Sequence, residues 1–303
     1  MSQNQIKLGV LIFPTSYCMP IDALARALEA RGFESLFVCE HTHIPASRKT
    51  PWPGGADLPK QYYHTLDPYV ALTAAAMVTR ELKLGTGVTL LTQHDPLVLA
   101  KTVASLDLLS GGRVLLGIGA GWNVEEMTNH GTAYKTRWAL LRERALSMRE
   151  LWREEKATFL GKHVSFEEVF SYPKPHQSGG PPLLLGASSR WTYDRVAEYA
   201  DGWMPIYQDA ARAAQSEALD YAAGIKAVKA AWKERGRDGE PQFNLFGVPA
   251  KRSIIAGMAE LGFSRQLLGL PSADADTLLP ILDKYAALAV SYTHLTLPTI
   301  LLV

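Results

Sequence analysis

Short apolar runs alternate with helical patterns along almost the whole chain, and this alternation constrains the fold more than any other feature. "IKLGVLIFP" (residues 6–14) has the character of a strand, and "IDALARALEARGF" that of a helix closing near Gly32. "SLFVCE" is the second strand, "LKLGTGVTLL" the third and "RVLLGIGAG" the fourth, with "DPYVALTAAAMVT" and "DPLVLAKTVASLDLLSGG" as helices between them. The pattern continues through "PLLLGAS", "GWMPI", "FNLFGVP" and "SRQLLGL", each followed by a helical stretch. Strands that are apolar without interruption are buried on both faces, as in a parallel sheet covered by its crossover helices. Eight such units within 303 residues predict an α/β fold, a (β/α)8 TIM barrel, although doubly wound sheets share the alternation.

Two connections are too long to be plain turns. Residues 42–65, "THIPASRKTPWPGGADLPKQYYHT", follow strand 2, and residues 156–182, "KATFLGKHVSFEEVFSYPKPHQSGGPP", precede strand 5. In a barrel the first lies at the C-terminal face, as a lid or as a plain surface excursion. With no internal repeat beyond the strand–helix alternation, residues 1–289 are expected to form a single domain. Residues 290–303 stand apart, because "VSYTHLTLPT" back-translates to DNA resembling a transposon-based sequencing adapter. The expectation is a translated adapter, with the natural end lost near Ala289 and no role for His294; a native β-prone tail is the alternative.

Charge and composition exclude several function classes. With 31 basic residues against 30 acidic ones and no long run of one sign, a nucleic-acid footprint is not indicated. No segment approaches the roughly 20 apolar residues of a membrane span. The first residues, interrupted by Lys7, carry no small-residue cleavage site, so a cytoplasmic protein is expected. Two cysteines, Cys18 and Cys39, are too few for a disulfide framework or a four-ligand zinc site.

"VLLGIGAGWNVEE" (residues 114–126) raises the possibility of a dinucleotide fingerprint. That motif needs a third glycine where the helix packs on the strand, and Trp122 stands there instead. Gly117, Gly119 and Gly121 recur every second residue, so on a strand they clear one face for something flat. "FVCEHTHIP" brings Glu40 and His41 to the mouth of the barrel, where a histidine can donate a hydrogen bond or act as acid or base. His43 shares a face with His41, and His64 and His94 occur elsewhere, but no carboxylate cluster has ligand spacing. No metal is predicted, and a surface histidine is the plainer alternative. Thr86, Gly87 and Val88 mark a bulge or an ordinary bend in strand 3. Gly186, Ala187, Ser188 and Ser189 open a helix, as an anion site or as ordinary serine capping. In the helix around residues 137–155, a stripe of Trp138, Leu141, Ala145, Met148 and Trp152 packs on the barrel or on a second subunit.

Together, "CEHTHIP", "LAKTVASLDLLSGGRVLLGIGAGWN", "SYPKPHQ" and "YADGWMP" resemble the luciferase-like monooxygenase superfamily, flavin- or deazaflavin-dependent (β/α)8 barrels. The branch most similar uses coenzyme F420. The resemblance implies a tricyclic ring across the barrel mouth, backed by Gly87–Val88, which in relatives often contains a non-prolyl cis peptide. It implies catalytic roles for His41 and Glu40, and cofactor contacts from Thr86, Gly87, Val88, Ala120, Gly121 and Asn123. Gly186, Ala187, Ser188 and Ser189 would hold the cofactor phosphate, Phe13, Trp122, Trp203 and Met204 would line the substrate pocket, and Asp201 would be structural. Sugar-phosphate dehydrogenases of the superfamily carry a glutamate shortly after the strand-4 glycines, where this chain has Trp122 and Asn123. A sugar phosphate is therefore disfavoured, and an apolar or aromatic small-molecule substrate fits better. The implied activity is hydride transfer with F420; the alternatives are an FMN-dependent monooxygenase using O2 and a non-catalytic flavin-binding protein. Homodimerisation is likewise an expectation from the family.

Overall fold

A computed structural model describes residues 6–55, 57–209, 213 and 218–293 of the chain, with side chains described through residue 288. Most of the adapter-like tail, residues 294–303, lies outside the described residues. The strands are β1 (Lys7–Ile12), β2 (Ser35–Val38), β3 (Lys83–Thr86), β4 (Thr89–Leu90), β5 (Val114–Gly119), β6 (Ala157–Leu160), β7 (Ser165–Val169), β8 (Leu183–Leu185), β9 (Gly202–Trp203), β10 (Gln242–Val248) and β11 (Arg265–Gly269). Nine of them form one sheet in the order β3-β2-β1-β11-β10-β9-β8-β5-β4, and β3 also pairs with β5, which closes the barrel. Every pair in it is parallel, from Gly9 opposite Ser35 to Leu84 opposite Val114. There are eight staves because the third is split into β3 and β4. The predicted (β/α)8 barrel is the fold of this chain.

Helices α1 (Ile21–Ala30), α2 (Gln61–His64), α3 (Pro68–Ala76), α4 (Pro96–Leu109), α5 (Val124–Asn129), α6 (Arg137–Arg153), α7 (Thr192–Tyr199), α8 (Tyr221–Glu234), α9 (Arg252–Leu261) and α10 (Ala275–Thr293) connect the strands. Two start on an Asp-Pro pair whose chemistry is plain. Asp67 accepts the N–H groups of Tyr69 and Val70 at 2.9 Å each, and Asp95 those of Leu97 and Val98 at 2.9 and 3.0 Å. Proline at the first helical position loses no hydrogen bond there. The connection before β8 is not structureless: β6 and β7 pair as an antiparallel hairpin. Glu143 of α6 holds its turn by accepting the N–H groups of Lys162, His163 and Val164.

Among the described residues the hydrophobic core has two main parts, besides a small cluster of Ala197, Ala231 and Trp232. The larger lies between strands and helices, where the stripe on α6 (Leu141, Ala145, Met148, Trp152) packs. The smaller fills the lumen with Leu11, Phe37, Cys39, Leu115, Leu184, Met204 and Leu267, and Phe13, Val88 and Phe246 pack against it. The lumen is therefore filled below the mouth, where the C-terminal strand ends form a site. Asp201 ties the base together, accepting from the Leu183 N–H at 2.8 Å, Arg149 at 2.6 Å and Arg237 at 3.1 Å. No helix among the described residues is long and apolar enough to cross a membrane.

The glycines of β5 serve this packing. A Cβ on Gly117 would stand 2.0 Å from the Thr86 carbonyl oxygen and 2.6 Å from Met204 Cε. One on Gly119 would stand 2.6 Å from Val88 Cγ2. Gly117 and Gly119 thus clear space for neighbouring strands rather than directly for a flat ligand. Gly121 lies beyond the strand at φ +78°, so it does not continue their face.

Candidate active site

The third stave breaks where the sequence marks it, and the Gly87–Val88 peptide is cis. The Gly87 N–H still donates to the Val38 carbonyl at 2.7 Å. Beyond the break, Val88 projects against Gly119 and Gly186, whose missing Cβ atoms make room for it. Glu40 anchors the second half of the stave: one buried carboxylate oxygen accepts the Leu90 N–H at 2.5 Å and the other meets His94 Nε2 at 2.7 Å. Burial alone would lower the pKa of His94, but the hydrogen bond and charge of Glu40, with the charge of Asp67, lift it above the ordinary histidine value. Glu40 lines the cavity, yet both its oxygens hold the scaffold.

His41 has a partner that the strand pattern did not reveal. Its Nδ1 lies 2.9 and 3.1 Å from the two carboxylate oxygens of Glu126. The two side chains are only 5% and 1% exposed. Asn123 caps α5, its Oδ1 accepting the Glu126 N–H at 3.2 Å. Asn-x-x-Glu is the sequence signature of a helix N-terminus with Glu at the third position, a signal that marks the helix start but not the histidine its Glu reaches. A carboxylate therefore does stand shortly after the β5 glycines, so its supposed absence no longer argues against a sugar-phosphate substrate.

The neighbouring acid holds the loop after β2. Glu125 accepts the Lys49 N–H at 2.8 Å, the Thr50 N–H at 3.1 Å and the Thr50 hydroxyl at 2.6 Å. The Thr50 hydroxyl, followed by these backbone donors and against some burial, holds the Glu125 carboxyl at a pKa of about 2. So clasped, the loop carries Trp52 and Tyr62 over the mouth, with Trp52 Nε1 donating to the Tyr62 hydroxyl at 3.0 Å. The Tyr62 ring lies 4.5 Å from Phe13 and 5.1 Å from His41. Trp122 meets His41 edge-on at 5.9 Å. These groups enclose a cavity of about 470 Å³ with Leu11, Val88 and Phe246 also in its wall.

Of the residues singled out from sequence, Phe13, Glu40, His41, Gly87, Val88 and Trp122 line this cavity. Thr86 lies behind it, its buried hydroxyl donating to the Gly117 carbonyl at 2.8 Å. Ala120 is buried too, its carbonyl accepting the Thr92 hydroxyl at 3.0 Å. Gly186 continues the sheet through its N–H to Ile118, and the Ala187 carbonyl accepts Trp203 Nε1 at 2.8 Å. The Ser189 N–H donates to the Thr192 hydroxyl at 3.0 Å, while Ser188 is exposed. Two of the N–H groups offered for an anion are thus taken up within the protein. Trp203 is not in the pocket: it is fully buried among the helices, against Tyr193 and Phe263. Met204, the next residue along, turns inward to the lumen plug below the cavity.

A cavity of this size at a barrel mouth, with an apolar floor and a buried His–Glu pair at its edge, defines an enzyme site of the barrel class. The chain belongs to the luciferase-like monooxygenase family, which it matches over residues 18–256. It is 38% identical over 282 residues to the uncharacterized protein Rv0953c of Mycobacterium tuberculosis, covering 92% of this chain and 97% of the relative. It is 28% identical to the F420-dependent hydroxymycolic acid dehydrogenase of the same species, over 79% of this chain and 61% of that one. Among solved structures, the monooxygenase RslO1 from Streptomyces bottropensis aligns with TM-score 0.75 at 18% identity, over 95% of this chain and all of that one. An F420-dependent secondary alcohol dehydrogenase aligns with TM-score 0.71 at 19% identity, over 94% and 99%. The chain is accordingly a flavin- or deazaflavin-class oxidoreductase.

The residues present fit a tricyclic cofactor of that class. Leu11, Val88 and Phe246 offer an apolar floor. Trp122 and the Gly87–Val88 peptide stand in the same wall, where the absent Cβ of Gly87 leaves backbone exposed to a flat group.

Proposed function

We propose that this enzyme transfers a hydride between the deazaflavin coenzyme F420 and a small apolar or aromatic alcohol or carbonyl compound. The observation that carries the proposal is the His41–Glu126 pair at the edge of an otherwise apolar and aromatic cavity. The F420-dependent relative over 79% of the chain supports the choice of cofactor. F420, when bound, supplies the hydride donor or acceptor, and the protein supplies orientation and a proton. Glu126 occupies His41 Nδ1, which fixes the ring and leaves Nε2 to hold or take the proton at the substrate oxygen. Val88 and Phe246 would support the ring, and Trp52, Tyr62 and Trp122 exclude water. No lysine or arginine lines the cavity among the described residues, which favours a substrate without phosphate.

We assign the protein to the cytoplasm and propose a homodimer formed through α3 and α4. Both helices carry apolar side chains on their outer as well as their inner faces, the pattern of a helix covered on two faces. Val98 and Leu109 of α4 nevertheless stand 66% and 60% exposed. The test of function is F420 reduction or oxidation against a panel of alcohols and ketones. His41→Asn should lose at least about 100-fold in kcat while retaining the cofactor. Equal turnover by the variant would overturn the assignment, and oxygen-dependent turnover with FMN alone would move the enzyme to monooxygenation.

A further inference from the structure

The end of the barrel away from the active site holds a second hollow, of about 340 Å³. Asp201, bonded to the first residue of β8, marks this as the N-terminal face. Four arginines line the hollow: Arg149 and Arg153 from α6, and Arg235 and Arg237 from the turn after α8. Leu146 and Ala197 supply an apolar wall.

Two of the guanidiniums are fixed by the fold. Arg149 Nη2 donates to Asp201 at 2.6 Å and to the Tyr199 carbonyl at 3.4 Å. Arg237 donates to Asp201 at 3.1 Å and to the carbonyls of Val196, Ala197 and Ala200, and it lies over the Trp232 ring at 3.7 Å. The other two keep donors to offer. The Arg153 side chain makes no hydrogen bond or ion pair among the described residues; its Nε lies 3.2 Å from where a Cβ on Gly179 would stand, so it rests on bare backbone. Arg235 reaches only Asp194, at 3.4 Å and with that carboxylate 64% exposed, where a pair contributes little.

The charges do not balance. Asp194 and Asp201 answer two of the four guanidiniums. Glu198, the acid in the wall, is taken by Arg142 at 2.6 Å. Asp238 and Glu240 line an adjoining hollow rather than this one. Burial lowers the pKa of Arg237, and the charges of Arg149 and Arg153 lower it further against the pull of Asp201. Two positive charges thus remain beside an open space, the complement of a phosphate group carrying about −1.5 to −2 near neutral pH. A guanidinium fork meets phosphate oxygens two at a time. We propose that this hollow binds the phosphate group of a small phosphate monoester. Arg153 and Arg235 supply the free donors, Arg149 and Arg237 a fixed positive floor, and Leu146 and Ala197 a surface for the organic part. The ligand sits at the opposite end of the barrel from the His41–Glu126 pair and stabilises the folded chain by mass action.

The test is calorimetric titration of the full chain with inorganic phosphate and, separately, with glycerol 2-phosphate. Chloride at about 0.1 M screens long-range attraction. Both should bind saturably with a Kd of about 1 mM or below. Arg153→Gln should weaken both by about tenfold or more with an unchanged urea midpoint, because the side chain supports nothing in the fold. Arg153→Lys should recover only part of the loss. Lys229→Gln, which removes an exposed cation paired with Glu240, should bind as the native chain does. No saturable binding, native affinity in Arg153→Gln, or an equal loss in Lys229→Gln, the mark of diffuse attraction, would each overturn the site. Binding of inorganic phosphate without the ester would overturn the monoester. Neither F420 nor turnover enters the readout, so failure of the proposed reaction is separately recognised.

Discussion

Replacing Glu125, which does not itself line the cavity, with alanine should open the loop over the active site. The carboxylate makes three hydrogen bonds to Lys49 and Thr50, all at 3.1 Å or less. Hydrogen bonds to a charged group contribute about 1.5–3 kcal/mol each when well shielded. Glu125 sits at a partly exposed edge, where screening reduces such contributions severely, so about 2 kcal/mol is a reasonable sum for the three. That is a shift of roughly 30-fold in the ratio of open to closed loop. Arg48 and Lys49 lie in the clasped stretch, so trypsin reports on it directly. Where reclosing is faster than cleavage, the cutting rate follows the open population and should rise by about 30-fold in Glu125→Ala, with little change in the urea midpoint. A cutting rate within about twofold of native would refute the clasp. The pH dependence has a definite sign. With the loop closed the carboxyl titrates at about 2, against 4.5 ordinarily. The clasp is therefore at full strength above about pH 4.5 and is lost as pH falls toward 2.

Further consequences concern stability and assembly. Gly117→Ala should cost about 2–3 kcal/mol in urea unfolding, because its Cβ would meet the Thr86 carbonyl, which cannot move aside as a side-chain tip could. Asp201→Ala should cost about 3 kcal/mol, since it strands Arg149, Arg237 and the Leu183 N–H together. The raised pKa of His94 implies stabilisation that is complete below the unfolded value of 6.5 and fades as pH rises through the folded value. Melting curves from pH 6 to 9 should show this slope in the native protein and lose it in His94→Gln. Val98→Glu should convert the proposed dimer to monomer in sedimentation, and an unchanged native monomer would remove the dimer from the account.

The barrel was legible because its strands are buried on both faces and so appear as unbroken apolar runs. The β6–β7 hairpin escaped because residues 157–169 are half-exposed and polar, and look like loop without their partner strand. Trp203 and Met204 show a different limit. Adjacent residues on a strand face opposite ways, so assigning both to the pocket could not hold; the indole went outward to Tyr193 and Phe263. His41 was visible as a polar residue at a strand end, whereas Glu126 became visible only once α5 folded back over the mouth. Its capping signature places a helix start, not the distant histidine that the third residue of that helix reaches. The Gly186–Ser189 stretch looks like an anion cradle in sequence because hydrogen bonding within the protein, here from Thr192 and Ile118, is not written there.

The central claim is that the cavity accepts a deazaflavin. Titration of the full chain with coenzyme F420 and separately with FMN, followed by quenching of protein fluorescence, measures this directly, because Trp52 and Trp122 line the cavity. Saturable quenching by F420, with a Kd well below millimolar, and weaker binding of FMN are expected. Binding of neither below about 1 mM, equivalent to roughly 4 kcal/mol, or tighter binding of FMN, would contradict that claim.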